Sequence, residues 1–504
     1  MIELDGHSLT LDHLVAIADA NAAVAISETA RTRVQAARAI VDEFADHDTP
    51  TYGINTGFGN FSEVKIPHDS LSQLQVNLLR SHAAGVGEPL SVPVVRAAMA
   101  LRANVLAKGF SGIRLRTLEL LIDALNRRIH PLVPSRGSVG ASGDLAPLAH
   151  IALVLIGEGA VISANGVIDG REALAGAGLQ PVALGPKEGL ALINGTQPSA
   201  AVLGLAVAAG QRLARAADIV AALSIDGLQG STKPFDARIH DARGLPAQAE
   251  SAANLRHLLA GSGINEAHAN CGRIQDAYSM RCAPQVHGAA RAACQYAHDV
   301  FAAEANAATD NPMVFADTRE IVSGGNFHGA PVSVACDLLC IGMSQLATIS
   351  ERRSDRLVNP SLSGLPAFLT RHGGLHSGLM MAQVTAAALT SELKTLSHPA
   401  SVDTIPTSGN KEDHVSMSMA AALKAARTVE LATRVLAVEL LCASQAIDLL
   451  APLATSPALA RVHAFVRTQV PVLGDDRPPS HDIEMITRMI ESGELERACA
   501  MNVN

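Results

Sequence analysis

Seven long stretches of the chain carry apolar residues at three- and four-residue spacing, the pattern that predicts helices. Apolar residues occur nearly all round these stretches, so each predicted helix must be covered by other helices. The pattern therefore predicts a mainly α fold with a long central helical bundle, and it favours an oligomer. The stretches are residues 94–107, 118–129, 197–223, 284–308, 331–357, 378–396 and 417–450.

The segments between the predicted helices are rich in Gly, Pro, Asn and Asp, which indicates loops. Examples are TYGINTGFGN at 51–60, PSRGSVGASGD at 134–144, SGGNFHG at 323–329 and TSGNKEDH at 407–414. Strand-like alternation is weak, and only the N-terminal part of the chain has a mixed pattern. We therefore predict a smaller mixed N-terminal region at 1–110 and a helical domain at 111–504.

The composition narrows the functional classes. The 504 residues, 48% of them hydrophobic, can bury a large core, while the net charge of -9 and the lack of a basic stripe argue against nucleic acid as a partner. The N-terminus lacks the basic-then-apolar order of a secretory signal. The apolar stretch 200–223 contains Arg212, Arg215 and Asp218, which favours a buried helix over a membrane span. Seven cysteines without C-x-x-C spacing are typical of reduced thiols, so we expect a cytoplasmic protein with no membrane partner.

The Gly-rich loop at 137–144, Gly-Ser-Val-Gly-Ala-Ser-Gly-Asp, admits several interpretations. A phosphate-binding Walker loop ends in Gly-Lys-Ser/Thr, whereas this loop ends in Asp144, which would repel phosphate. A dinucleotide fingerprint needs a preceding strand and G-x-G-x-x-G spacing, and a hydrolase elbow needs a second Gly where Asp144 stands. Ser142 or Asp144 could instead cap a helix that begins at Leu145, a role compatible with chemistry beside it.

Residues 137–150, GSVGASGDLAPLAH, resemble the signature of the aromatic amino acid ammonia-lyases, enzymes that act on histidine, phenylalanine or tyrosine. The motif is long and specific, and further segments resemble the family in the family's order. The resemblance implies the helical architecture that the family shares with fumarases and aspartases, and a homotetramer whose sites combine residues from different subunits. The further segments are TYGINTGFG at 51–59, SHAAGVG at 81–87, GFSGIR at 109–114, INGTQ at 193–197, QDAYSMRCAPQ at 275–285, TDNP at 309–312, GGNFHG at 324–329 and EDHVSM at 412–417.

The resemblance also implies a catalytic group made from the chain itself. In the family, the Ala-Ser-Gly tripeptide cyclises and loses water to form 4-methylidene-imidazol-5-one, so Ala141, Ser142 and Gly143 are expected to form this electrophile without an external cofactor. The Gly143 nitrogen must reach the Ala141 carbonyl, a sharp turn that small side chains permit. The Ser142 hydroxyl leaves to make the methylidene. No His cluster has metal spacing such as H-E-x-x-H, so no metal is expected.

Three residues match groups that react with or bind the substrate in the family. Removal of ammonia from an amino acid requires removal of a weakly acidic β proton, and Tyr52 matches the family's base. A phenol has a pKa of about 10, so this role needs surroundings that favour phenolate; the alternative is a packing aromatic in a turn. Arg281 matches the family's carboxylate clamp, because its planar fork suits two-point binding, with a surface ion pair as the alternative. Tyr278 matches the second active-site tyrosine, one helical turn from Arg281.

Other residues match positions that support the electrophile or line the pocket in the family, and these are Asn194, Gln275, Asn311 and Phe327. The alternatives are loop hydrogen bonding for the Asn and Gln side chains and core packing for Phe. Structural or supporting roles are favoured for the histidines at 150, 328, 398 and 414.

Two positions indicate the substrate. Ser81-His82 resembles the pair found in histidine-directed members, whereas tyrosine- and phenylalanine-directed members typically carry His-Leu and Phe-Leu. Glu412 can bind or exchange a proton with an imidazole, and phenyl-directed relatives usually carry Gln there. Lys411 stands where close relatives tend to have Gln, which predicts either a more cationic site or an ion pair with Glu412. We expect elimination of ammonia from L-histidine to give trans-urocanate; the alternatives are a tyrosine or phenylalanine ammonia-lyase, or a related aminomutase.

Overall fold

The computed structural model of the protein describes residues 1–47, 49–269, 272 and 274–500. Contacts divide the chain into two compact units, each assembled from three separate stretches. Position 110, the predicted domain boundary, lies within the first stretch of unit 1, and a division there stays a prediction. Unit 1 comprises Met1–Leu205, Ala297–Asp337 and Pro399–Leu423, and unit 2 comprises Ala206–Tyr296, Leu338–His398 and Lys424–Asn504.

Helices dominate the described chain, which confirms the predicted mainly α fold. The seven predicted helices are all present, with ends that differ by up to four residues. Helices α1 to α21 are, in chain order, Leu11–Ala18, Glu28–Ala45, Leu71–His82, Val92–Ala107, Leu115–Asn126, Leu145–Leu155, Gly170–Gly176, Glu188–Ile193, Gln197–Gly227, Ala237–Arg243, Pro246–Leu259, Gly263–Ala267, Tyr278–Arg281, Ala283–Glu304, Ala330–Val358, Pro360–Ser363, Met380–Leu396, Ser418–Leu449, Pro457–Gln469, Pro479–Glu491 and Glu494–Cys499.

Short strands accompany the helices of unit 1. They form a parallel pair β1-β2, an antiparallel pair β3-β5, a three-stranded antiparallel sheet β4-β6-β7 and an antiparallel pair β8-β9. Those beyond position 110 were not predicted, because two to four residues are too few to show alternation. Strands β1 to β9 are Ile2–Leu4, Val24–Ile26, Val86–Pro89, His130–Pro131, Pro134–Arg136, Ala160–Ser163, Gly166–Asp169, Met313–Phe315 and Glu320–Val322.

Helix α4 forms the centre of unit 1. It is buried along nearly its whole length, from Val95 to Ala107, and it packs against α1 and α5. Two arginines on this helix, Arg96 and Arg102, are each 1% exposed. A buried guanidinium must find acceptors for its N–H groups, so these two side chains tie α4 to neighbouring carbonyl groups.

One helix of the described chain, Ala330–Val358, is long and apolar enough to cross a membrane by length and composition. Within the fold, 67% of its most apolar window is buried, as in a core helix. Length and composition alone therefore give weak support for a span. No disulfide joins the six described cysteines, and Cys271 lies outside the described residues.

Candidate active site

The Gly-rich loop leads directly into helix α6 at Leu145. Asp144 occupies the N-cap position, but its side chain accepts no hydrogen bond from its own helix, so the predicted side-chain capping is wrong. Its buried carboxylate instead accepts from Ser138 Oγ at 2.6 Å and from the backbone N–H of Ser199 at 2.8 Å. Burial raises the pKa of Asp144 despite these hydrogen bonds. Asp144 therefore ties the loop to the first turn of α9.

The backbone of Gly143 is pressed against the segment between α8 and α9. Gly143 has a φ of +71°, and a Cβ at this position would lie 2.2 Å from the carbonyl oxygen of Gly195. The same oxygen accepts a hydrogen bond from the N–H of Asp144 at 2.7 Å. Only glycine fits at position 143, both because of its conformation and because of this contact.

Two other segments hold the start of the loop. The Gly140 carbonyl oxygen accepts from Ser416 Oγ at 2.9 Å and from the Gly329 N–H at 3.2 Å. The Val139 carbonyl accepts from the N–H of Met417 at 2.8 Å. The motifs at 324–329 and 412–417 therefore meet the Gly-rich loop in space.

A cavity of about 1350 Å³ opens beside the loop, lined entirely by residues of unit 1. It brings together most of the residues singled out in the sequence, while Gly143 lies beside its wall. Lys411, His328 and His414 also line it, and the imidazoles of the two histidines stack with their centroids 5.9 Å apart. Nothing in the sequence distinguished these histidines from structural ones. The predicted residues that line the cavity are Tyr52, His82, Ala141, Ser142, Asn194, Asn311, Phe327 and Glu412.

The Glu412 carboxylate is held at the loop by hydroxyl donors. Ser142 Oγ donates to Oε1 at 2.7 Å, and Thr407 Oγ1 donates to Oε2 at 2.6 Å. Burial acts to raise the pKa of Glu412, but hydrogen bonds from Thr407, Ser142 and Ser408 outweigh it and lower this pKa. No ion pair joins Lys411 and Glu412 in the described chain, so the ion pair considered from the sequence is absent there.

His82 ends helix α3 at the edge of the cavity. Its Nδ1 lies 2.9 Å from the Leu78 carbonyl oxygen and 3.0 Å from Ser81 Oγ. Burial lowers the pKa of His82, although the Leu78 carbonyl and Glu412 act in the opposite direction. Burial therefore favours the neutral imidazole, and the contacts of Nδ1 leave Nε2 as the nitrogen available to a ligand.

Tyr52 lines the same cavity, with its ring edge-on to Phe58 at 6.4 Å between centroids. Burial raises the pKa of Tyr52, a hydrogen bond involving Gly59 lowers it, and the charge of Glu412 raises it further. The net effect is a raised pKa. The sequence interpretation expected the reverse, surroundings that favour the phenolate and therefore lower the pKa. Within one chain, Tyr52 is therefore kept as a phenol.

The residues around Ala141-Ser142-Gly143 fit the cyclised group that the family forms. Gly143 has a left-handed backbone that only a residue without a side chain adopts readily, and the Ser142 hydroxyl faces a carboxylate. Asn194 lines the cavity, and its Oδ1 atom is buried with no donor among the described residues. A buried acceptor without a donor marks a place for a polar partner.

Three predicted residues, Gln275, Tyr278 and Arg281, belong to unit 2 and are not among those lining this cavity. Tyr278 is 70% exposed, and the Arg281 guanidinium stacks 4.7 Å from its ring centroid. The carbonyl of Ser279 between them accepts from Arg353 at 3.2 Å. A buried arginine therefore holds this short helix from within unit 2.

Comparison with known proteins gives the family. The family model described as aromatic amino acid lyase matches residues 9–468. A histidine ammonia-lyase of Anaeromyxobacter dehalogenans (strain 2CP-C) is 56% identical, over 98% of this chain and 99% of its own. The crystal structure of histidine ammonia-lyase from Trypanosoma cruzi matches with a TM-score of 0.92 and 44% identity, covering 99% of this chain and 95% of that one. The tyrosine aminomutase of Streptomyces globisporus matches with a TM-score of 0.94 and 39% identity, covering 99% and 98%.

These matches extend over almost the whole chain, and they agree with the placement of the family's motifs around one cavity. The matched ranges include the Gly-rich loop and the segments that hold it, which are the residues that the structure brings together. The chain therefore belongs to the aromatic amino acid lyase family.

Proposed function

We propose that this chain is a histidine ammonia-lyase that converts L-histidine to trans-urocanate and ammonia. The observation that carries the proposal is the position of Glu412, whose carboxylate lies 2.7 Å from the Ser142 hydroxyl in a cavity that His82 also lines. A carboxylate and a neutral imidazole beside the reacting tripeptide suit a substrate whose side chain both donates and accepts hydrogen bonds. The relatives at 56% and 53% identity that bear the name histidine ammonia-lyase agree with this choice.

The electrophile is proposed to form from Ala141, Ser142 and Gly143 by autocatalytic cyclisation. When formed, 4-methylidene-imidazol-5-one supplies an electron-poor carbon that takes up the substrate amine and makes it a better leaving group. Asn194 would hold this group by donating from its amide Nδ2 to the ring carbonyl oxygen, since the residue lines the cavity.

The other residues act on the substrate itself. Tyr52 removes the β proton, and because burial raises its pKa, a positive charge must approach it for phenolate to form. Glu412 and His82 bind the substrate imidazole. Asn311 and Phe327 line the pocket beside it.

Sites shared between subunits of a homotetramer account for the positions of Gln275, Tyr278 and Arg281. These residues lie outside the cavity of their own chain, and Tyr278 is largely exposed. The cavity of about 1350 Å³ also exceeds the roughly 300–1,000 Å³ of a typical small-molecule site. We propose that Arg281 of a second subunit enters it, binds the substrate carboxylate, and supplies positive charge near Tyr52.

We also propose that the protein is located in the cytoplasm.

The test is to incubate the purified protein with L-histidine, L-tyrosine or L-phenylalanine and to follow urocanate, coumarate or cinnamate by absorbance. We expect rapid formation of urocanate only, because a carboxylate and an imidazole that the bound substrate covers would stay unpaired against a phenyl ring. Faster reaction of tyrosine or phenylalanine would refute the choice of substrate. Chromatography for β-amino acids tests the aminomutase alternative, and such a product would replace the lyase assignment.

A further inference from the structure

Arg102 on helix α4 clamps the segment that joins α8 to α9. Its Nη1 donates to the Asn194 carbonyl at 2.8 Å and to Gln197 Oε1 at 2.8 Å, and its Nε donates to the Ala191 carbonyl at 3.1 Å. The last carbonyls of a helix have no partner inside the helix, and an arginine is well suited to satisfy them. Burial lowers the pKa of Arg102 to about 10, so the side chain stays charged near neutral pH.

Gly195 links this clamp to the Gly-rich loop. A Cβ at position 195 would lie 2.5 Å from Arg102 Nη1 and 2.4 Å from Gln197 Oε1, so glycine is what lets the guanidinium approach. The Gly195 carbonyl in turn accepts from the Asp144 N–H at 2.7 Å and contacts the backbone of Gly143. The Asn194–Gly195 backbone is therefore held by Arg102 and lies against Gly143, whose nitrogen must close the ring.

We propose that Arg102 is a positioning residue for the cyclisation of Ala141-Ser142-Gly143, an inference that rests on the proposed function. In ring closure the Gly143 nitrogen bonds to the carbonyl carbon of Ala141, and the oxygen leaves as water with the amide hydrogens of Gly143 and Ser142. A second water takes the Ser142 hydroxyl and its Cα hydrogen. Neither step needs an oxidant or a second reactant, so the rate depends on how closely the Gly143 nitrogen is held to the Ala141 carbonyl carbon.

Arg102 keeps the Asn194–Gly195 backbone in contact with Gly143. If the Asn194–Gly195 backbone could shift away, Gly143 would follow it and its nitrogen would move out of reach of the Ala141 carbonyl. A displacement of about 1 Å can slow a reaction between positioned groups by about a hundredfold. Weaker contacts between Arg102 and this backbone should therefore slow cyclisation in a chain that still folds.

Arg96 provides a matched control on the same helix. It is also 1% exposed, and it donates to the carbonyls of Ile17 at 2.9 Å and Leu125 at 3.1 Å, in the last turns of α1 and α5. It thus makes the same kind of contact through a side chain that is equally inaccessible to solvent, but to helices that do not touch the loop through these carbonyls. Arg96→Lys shows how weakening the contacts of a buried arginine affects folding. Arg102→Lys shows this effect together with the effect on the Gly-rich loop.

The experiment compares the natural protein, Arg102→Lys and Arg96→Lys by mass spectrometry of the peptide containing residues 141–143, at harvest and during incubation. Cyclisation makes this peptide lighter by two water molecules. We expect complete cyclisation in the natural protein and Arg96→Lys, and conversion slower by about tenfold or more in Arg102→Lys. Circular dichroism and thermal unfolding establish that the variants are folded.

Unchanged cyclisation in folded Arg102→Lys, or equal slowing in Arg96→Lys, overturns the inference. An uncyclised peptide in the natural protein overturns the proposed function instead, so the two failures are distinct. If Arg102→Lys does not accumulate as folded protein, Gln197→Met is measured in its place, because it removes an acceptor of Arg102 Nη1 and keeps the charge. Slower cyclisation in that variant supports the inference, and a natural rate overturns it.

Discussion

The hydroxyl of Ser142 donates a hydrogen bond of 2.7 Å to Oε1 of Glu412, 270 residues further along the chain. In the proposed cyclisation this hydroxyl is the group that leaves. Its loss frees one carboxylate oxygen of Glu412 toward the cavity, while Thr407 continues to hold the other. On the proposed function, formation of the electrophile and release of the carboxylate that would bind the substrate ring are therefore coupled through this hydrogen bond.

Replacing Ser142 by alanine should separate these two events. Ser142→Ala cannot form the methylidene, so we expect turnover of L-histidine to fall by at least about a hundredfold. The change also removes the hydroxyl from Glu412, so binding of urocanate should persist. Absorbance assays give the turnover, calorimetry gives the binding, and circular dichroism verifies the fold. Turnover close to that of the natural protein would remove the central claim.

Replacing Glu412 by glutamine should depress histidine turnover by about tenfold or more. A hydrogen bond to a charged group contributes roughly 1.5–3 kcal/mol, and the neutral amide gives up this contribution in the transition state. The matched control is Lys411→Gln, which alters the adjacent cavity residue that has no ion pair with Glu412 in the described chain. We expect a change of less than about threefold there, as for an exposed charge. Equal losses in both variants would contradict the role of Glu412.

Acid should destabilise the fold partly through His150. Its Nε2 accepts from the N–H of Gly85 at 3.2 Å, and burial lowers its pKa below the ordinary 6.5. The folded chain then binds fewer protons than the unfolded chain, so this contribution to stability is present above pH 6.5 and is lost as pH falls through the folded pKa. We expect the drop in Tm between pH 8 and pH 5.5 to be smaller in His150→Gln, whose amide oxygen can accept the same hydrogen bond.

Exposed His13 on α1 supplies the control for this pH dependence. His13→Gln should leave the profile of Tm against pH unchanged. A His150→Gln profile that coincides with that of the natural protein would exclude His150 as a source of the acid sensitivity.

Two inactive variants should complement each other if sites combine residues from different subunits. Ser142→Ala lacks the electrophile and Arg281→Ala lacks the carboxylate clamp, so each alone should be nearly inactive. Random mixing of the two chains by co-expression should restore roughly a quarter of the natural activity, because some sites then receive both natural residues. Activity no higher than that of the separate variants would argue that each site draws Ser142 and Arg281 from one chain.

The long helices and the loop were predictable from the sequence because their signals are local. The helix Ala330–Val358, for instance, agrees with the predicted stretch to within one residue at each end. The environment of Tyr52 was not predictable, since its raised pKa depends on burial and on Glu412, which is distant in sequence. The hydrogen bonds of the Asp144 carboxylate also differ from those expected. Its donors are Ser138 and Ser199, which the pattern of the adjacent helix does not indicate.

The contact between Gly140 and Ser416 has a consequence for the order of events during protein synthesis. The Ser416 hydroxyl that holds the Gly140 carbonyl follows it by 276 residues, and the Met417 N–H that holds Val139 comes one residue later still. A ribosome must therefore deliver most of the polypeptide before the loop has all its anchors. On the proposed cyclisation, a truncated or misfolded chain retains an ordinary, unreactive serine. The electrophile is then present only in chains that have completed folding, and incomplete chains contain no reactive group.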